Sequence, residues 1–208
     1  LTYYVYIVKL VLVTQAAHSK REAILSSAFT QFNRYGFRKT SMADIAQEAR
    51  ISRASLYSYF ENKNEIFRSL SISIHQQSLE DASVLLEHAS SQTALASRME
   101  AALLARFGPL VEIITESAHG CEIYDENNRL CKDIVVDSAT QFHKVLTTAI
   151  RAGVRMGEVN LKPIGLSAEA AAELIQLSTA GLKERASDLA TFKKRLRHFI
   201  QVFFAGLR

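Results

Sequence analysis

The chain has 208 residues, 48% hydrophobic and 22% charged, which is enough apolar material for a sizeable core and too much for wholesale disorder. Its formal charge of +4 is local: residues 20–68 hold nine Lys/Arg against five Asp/Glu, whereas residues 81–208 hold fifteen of each. Two cysteines, Cys121 and Cys131, are too few for a disulfide scaffold and lack metal-site company, so the expected compartment is reducing and cytoplasmic.

Residues 1–13 are mostly apolar, with three tyrosines and an interrupting lysine at Lys9. The run is shorter than the roughly 20 residues that span a bilayer and has no basic region ahead of it. Residues 1–19 therefore read as a loosely held extension, with no membrane partner. The first helix is expected over Lys20–Tyr35, with Ile24, Leu25, Ala28, Phe29 and Phe32 on one stripe and Gly36 as its stop.

Residues 40–60 carry the strongest local signal. Ser41 and Asp44 have the spacing of a capping box, and Met42, Ile45, Ala46 and Ala49 follow at i, i+3, i+4 and i+7. A second cap at Ser52 opens a helix of about two turns, Arg53–Ser58, anchored by Leu56. Two short helices joined by a tight turn suit a helix-turn-helix whose second member enters a DNA major groove. A longer helix follows from Ile66, Phe67 and Leu70 to about Leu86.

Beyond it the expected helices are 91–107, about Leu130–Gly153, Ala168–Ala186 capped by Ser167, and Leu189–Ala205 capped by Asp188. Pro109 is expected to break a helix or open the next, Gly120 to Asn128 to form a loop, and Gly157 and Pro163 to sit in a connector. With no alternating run long enough for a sheet, the fold class is all-α.

At residues 21–70 the sequence resembles the tetracycline-repressor-like (TetR) family of bacterial transcriptional regulators. The resemblance lies in Tyr35-Gly36-Phe37, Thr40-Ser41 before Asp44-Ile45-Ala46, Ala49 before Ile51-Ser52, and Leu56-Tyr57-Ser58-Tyr59-Phe60 before Lys63 and Ile66. It implies an N-terminal three-helix DNA-binding domain at 20–66 and a helical ligand-sensing and dimerisation domain at 67–208. The implied partners are a double-stranded operator, a second copy of the chain and a small effector. By position, Ser41 would lie by the phosphate backbone and Arg53, Ala54 and Ser55 in the major groove beside the Ser52 cap, while Leu56 and Phe60 would be core. Two departures stand out: Arg50 occupies the turn position usually held by glycine, and Ala43 a position often held by a longer polar residue.

The residue chemistry agrees. Arg53 can donate a paired contact to guanine, and the Ala54 methyl can meet thymine. Lys39, Lys63 and the hydroxyls of Tyr57 and Tyr59 would position the chain on phosphates, although both tyrosines also read as packing residues. Phe107, Ile114, His119, Tyr124, Phe142 and Met156 are the candidates to line an effector pocket for an apolar or amphipathic molecule, and each is more often plain core than a ligand contact. The dimer seam is expected on the last two helices, from Ala172, Leu174, Ile175, Ser178, Thr179, Gly181 and Leu182 with Phe192, Leu196, Phe199 and Phe203. The six histidines are scattered, no Gly-rich phosphate loop occurs, and Glu112 with Glu116 reads as solvated surface, so no enzyme constellation, metal site or cofactor is expected. The alternatives are an architectural DNA-binding protein without a ligand and, more remotely, a helical enzyme.

Overall fold

A computed structural model describes residues 20–87 and 93–207. The expected N-terminal extension lies outside them. The described residues are all helical, apart from connections: α1 Lys20–Tyr35, α2 Met42–Glu48, α3 Arg53–Tyr57, α4 Lys63–Glu87, α5 Leu95–Glu116, α6 Gly120–Leu130, α7 Lys132–Arg155, α8 Ala168–Glu184 and α9 Leu189–Ala205, with a short 3₁₀ turn at Lys162–Ile164. None of these helices is long and apolar enough to cross a membrane.

The helices form two compact units. Of the described residues, the first comprises 20–77 together with Glu112–Val135; the second comprises 78–87, 93–111 and 136–207. In the first, Ile24, Ala28, Phe32, Ile45, Leu56, Phe60 and Ile66 make one core, and the rings of Phe32, Phe37 and Phe67 meet at 4.9–5.7 Å. α6 belongs to this unit through Ile123 and Leu130, with Cys131 buried just beyond it. Arg68 on α4 grips Asp133 through both carboxylate oxygens, at 2.8 and 2.7 Å, which holds that carboxyl down to about 2.

In the second unit Leu103, Phe142, Leu146, Ile175, Phe192, Leu196 and Ile200 lie in a separate core. Gly153 lets Leu95 approach where a Cβ would come within 2.4 Å of its side chain. Arg98 pairs with Glu158 at 2.8 Å. Ser167 and Asp188 cap α8 and α9 as expected, and Gly157 ends the α7 connection at φ +73°.

Three expectations need correction. α5 runs straight through Pro109, where the sequence leads one to expect a break or a fresh helix start. The ring removes one helical hydrogen bond and costs about 3 kcal/mol, but the flanking Leu103 and Val111 are fully buried, at about 1.5–3 kcal/mol each. The expected loop at Gly120–Asn128 is helix α6. Its Gly, Cys and Asn residues favour helix poorly, and contacts from distant sequence override them: Ile123 packs on the head core and Asn127 Oδ1 accepts from Ser71 at 2.8 Å.

The third correction concerns the seam. Phe192 and Leu196, at 0 and 1% exposure, face the chain's own core, as do Ala172, Ile175 and Thr179; Phe199 and Phe203 pack partly against it. What α8 and α9 leave in solvent is Leu174, Leu177 at 62%, Gly181 and Val202 at 75%.

Candidate nucleic-acid interface

The first unit presents its helix-turn-helix on closed hydrogen bonds. Ser41 Oγ accepts from the Asp44 amide at 3.2 Å, and the Ser41 amide donates to Asp44 Oδ2 at 2.8 Å, so the capping box is complete. The same hydroxyl and amide hold the Asp44 carboxyl below its ordinary value. At the other end of α2 the Arg50 amide donates to Gln47 O at 3.1 Å and the Ile51 amide to Ala46 O at 3.0 Å, the paired bonds of a Schellman motif. That motif needs a left-handed residue, and Arg50 supplies it at φ +54°.

Two residues later Ser52 Oγ accepts from the Ser55 amide at 3.1 Å and starts α3. Five residues of helix cannot persist alone; Leu56, fully buried, roots α3 in the core, and Phe60 holds the chain beyond it. Ser52, Arg53 and Ala54 are exposed together at its N-terminal end, with Ser55 half-buried behind them. Lys39 and Ser41 are exposed at the start of α2, and Tyr57 and Tyr59 at the end of α3. The arrangement gives an N-terminal helix tip with a long cation, a methyl and hydroxyls at the front, which is the equipment for reading base edges.

Lys63 is placed differently from its expected role. Its Nζ donates to Phe37 O at 2.6 Å, Thr40 O at 2.7 Å and Arg38 O at 3.3 Å, and stands 4.4 Å from the centre of the Phe37 ring. Burial pushes the ammonium below its usual range. In this structure Lys63 clasps the α1–α2 loop to the start of α4.

The same loop is held from α6, which sequence reasoning missed. The Arg38 amide donates to Glu122 Oε1 at 2.7 Å and its Nε to Glu126 Oε1 at 3.1 Å, while Arg129 pairs with the other Glu126 oxygen at 2.7 Å. Gly36, at φ +85°, keeps the loop close: a Cβ there would come within 2.5 Å of Glu122 Oε2. Arg38 reads as a solvated arginine in sequence because its acidic partners lie more than 80 residues away, and no local pattern announces them.

The six effector candidates are divided between the units. Phe107 and Phe142 lie in the second, their rings 6.0 Å apart, with Phe142 fully buried; Met156 belongs there too but is exposed. Ile114, His119 and Tyr124 belong to the first, where His119 Nδ1 is 3.6 Å from Glu122. Sequence reasoning overlooked Arg106, whose buried guanidinium donates to Ser78 and to Ser138 at 2.7 Å and lies 5.8 and 5.6 Å from the Phe107 and Phe142 rings. Cys121 and Cys131 are both free thiols; burial pushes the Cys131 thiol up, away from reactivity. Among the described residues no group of three or more His, Cys, Asp or Glu could hold a metal ion.

A capped helix-turn-helix within residues 20–68, the stretch that carries the chain's net positive charge, points to the class: a DNA-binding transcriptional regulator. Residues 24–70 match the family model described as bacterial regulatory proteins, tetR family. The chain is 29% identical over 180 residues to the HTH-type transcriptional regulator TtgR of Pseudomonas putida, covering 82% of this chain and 81% of that protein. Its fold is similar to that of a transcriptional regulator from Cytophaga hutchinsonii, at a TM-score of 0.75 and 17% identity over 91% of this chain and 99% of the other. It is also similar to SmeT, the repressor of the Stenotrophomonas maltophilia multidrug efflux pump SmeDEF, at a TM-score of 0.63 and 17% identity over 93% and 91% of the two chains. At such identities these structures speak for the fold. The family match covers residues 24–70, so these residues carry a DNA-binding head of the tetR type, and the likeness of the remainder is one of fold.

Proposed function

We propose that the chain is a ligand-responsive repressor. As a homodimer paired through α8 and α9, it holds a near-palindromic operator and releases it when a small apolar or amphipathic molecule binds the C-terminal domain. The observation that carries the reading is the tip of α3, where Ser52, Arg53 and Ala54 are exposed together on a helix that the core fixes only through Leu56. One such tip makes few base contacts, so useful selectivity needs two copies about 34 Å apart or a multiple of that spacing. Ser41, Lys39, Tyr57 and Tyr59 would then position the head on phosphates, with Arg53, Ala54 and Ser55 reading bases.

Support for an effector is chemical. Phe107 and Phe142 stand beside the buried Arg106 and two hydroxyls, so aromatic and polar groups meet in the second unit's core, a chemistry an amphipathic molecule entering there would match. SmeT, whose fold is similar, has been solved in a complex with triclosan. α4 leads directly from Lys63 in the head to Glu87 without a flexible linker. A ligand preferring a shifted α4 would weaken operator binding, and linkage requires the operator to weaken the ligand equally.

The test begins with duplexes selected from a random pool by the full chain. Selective binding to a near-palindrome, protected by a dimer and weakened by a compound that binds the protein alone, supports the proposal. Shallow discrimination between selected and random duplexes at fixed salt would favour the architectural alternative instead.

A further inference from the structure

Between α1 and α2 lies an open groove of about 580 Å³, lined by Arg34, Tyr35, Lys39, Asp44, Glu48 and Arg50 among others. Its two carboxylates are already engaged: Asp44 takes the amide and hydroxyl of Ser41, and Glu48 accepts from Gln31 at 2.9 Å. Its cations are less committed. Arg34 stands 5.9 Å from the Tyr35 ring, and among the described residues the Lys39 and Arg50 side chains enter no hydrogen bond or ion pair.

The placement is ordered. Lys39 stands two residues before the Ser41 cap of α2, and Arg50 two residues before the Ser52 cap of α3. The groove therefore follows α2 from end to end. Seven residues of helix rise about 10 Å, so the strip is long enough to meet more than one phosphate of a DNA strand.

Arg50 adds a separate observation. It is the only non-glycine at positive φ among the described residues, in a region that glycine enters freely and other residues enter at a cost. The Schellman motif fixes the conformation, and folding alone would be served better by glycine. Strain retained at one position points to use of the side chain that causes it.

We infer that Arg34 and Arg50 join Lys39 in a phosphate-contact strip along α2, which takes the sugar–phosphate backbone of duplex DNA beside the stretch read by α3. The inference rests on the DNA-binding reading above and adds residues to it. These contacts carry no base preference. They add affinity and salt dependence to every site the head visits.

The test uses the full chain and a random-sequence duplex of about 30 base pairs, titrated across a range of salt concentrations. Arg50→Gly is expected to flatten the log–log salt slope by about 0.9 per bound subunit and to weaken binding about 5- to 10-fold per lost contact near 0.1 M salt. Its melting temperature should stay level or rise by about 2 °C. A purely structural role would move melting and leave the slope alone. Lys39→Ala should flatten the slope without the gain in melting temperature.

An unchanged slope and affinity in Arg50→Gly overturn the inference. So does saturable binding of inorganic phosphate that Arg50→Gly abolishes while its DNA slope stays the same, because the groove would then serve a small phosphate ligand. If the unaltered chain binds duplex and Arg53→Ala relaxes its base preference while Arg50→Gly behaves normally, the strip alone fails. If the unaltered chain binds no duplex, the regulator reading and the strip fail together.

Discussion

Glu126, buried on α6, accepts a hydrogen bond from Arg38 Nε at 3.1 Å across 88 residues of sequence. Its other oxygen takes Arg129, and Glu122 takes the Arg38 amide. The loop that leads into the Ser41 cap is thus anchored to α6 as firmly as to α4.

A double-mutant cycle of Arg38→Ala and Glu126→Gln should therefore show coupling, modest because the Arg38 side chain is 73% exposed: about 0.5–1 kcal/mol near neutral pH. Burial alone would raise the Glu126 pKa, and the hydrogen bonds from Arg129 and Arg38 outweigh it, leaving the carboxyl below its ordinary value. The stabilisation is then fully present above the unfolded value of about 4.3 and is lost as pH falls through the lower folded value. Urea unfolding at neutral pH and at about pH 3 would check this; coupling that ignores pH would mean the contact is not ionic.

Lys63→Ala should act on folding before it acts on DNA. Removing an ammonium that binds three carbonyls is expected to destabilise the head by about 1–3 kcal/mol in denaturant unfolding. The salt slope of DNA binding should stay near that of the unaltered chain. A slope flattened by about 0.9 per subunit would instead show that Lys63 leaves the loop for a phosphate on binding.

Gly120→Ala should be disproportionately damaging. A Cβ at Gly120 would fall 2.2 Å from Ile113 O and 2.5 Å from Ile114 O, backbone atoms that cannot swing aside. Overpacking of this kind costs about 1–3 kcal/mol or more, and calorimetry should register a lowered melting temperature.

For the dimer, Leu177→Glu is the informative substitution. Leu177 is exposed in the single chain, so a charge there should leave the fold intact and yield monomers by sedimentation if α8 carries the seam. Leu196→Glu should unfold the protein, because it would bury a charge in the chain's own core. A Leu177→Glu chain that remains a dimer would move the seam elsewhere.

The head was legible because its signals are local. Ser41 with Asp44, Ser52 with Ser55, and the Ile45–Leu56–Phe60 anchors all lie within a few residues of what they organise, and α1 and α9 begin and end where their stripes and caps place them. What escaped depends on distance. α6 is helical because the head core and Ser71 hold it, and Lys63 is a clasp because three carbonyls upstream converge on it. The Phe192 and Leu196 stripe was visible, but periodicity names an apolar face without saying which partner covers it.

Ser52 uses its oxygen as an acceptor for the Ser55 amide, which leaves the hydroxyl hydrogen free to be offered outward. Folding draws on one end of this group, and the proposed base reading would draw on the other. Aspartate at position 52 would keep the acceptor and suit the positive end of α3, while setting a negative charge against a polyanion. On the proposed reading of the α3 tip, a well-folded protein blind to DNA would therefore lie a single substitution away. Loss of regulation at this position would leave abundance and assembly untouched, and a dimer carrying one such subunit would hold the partner yet waste its half-site.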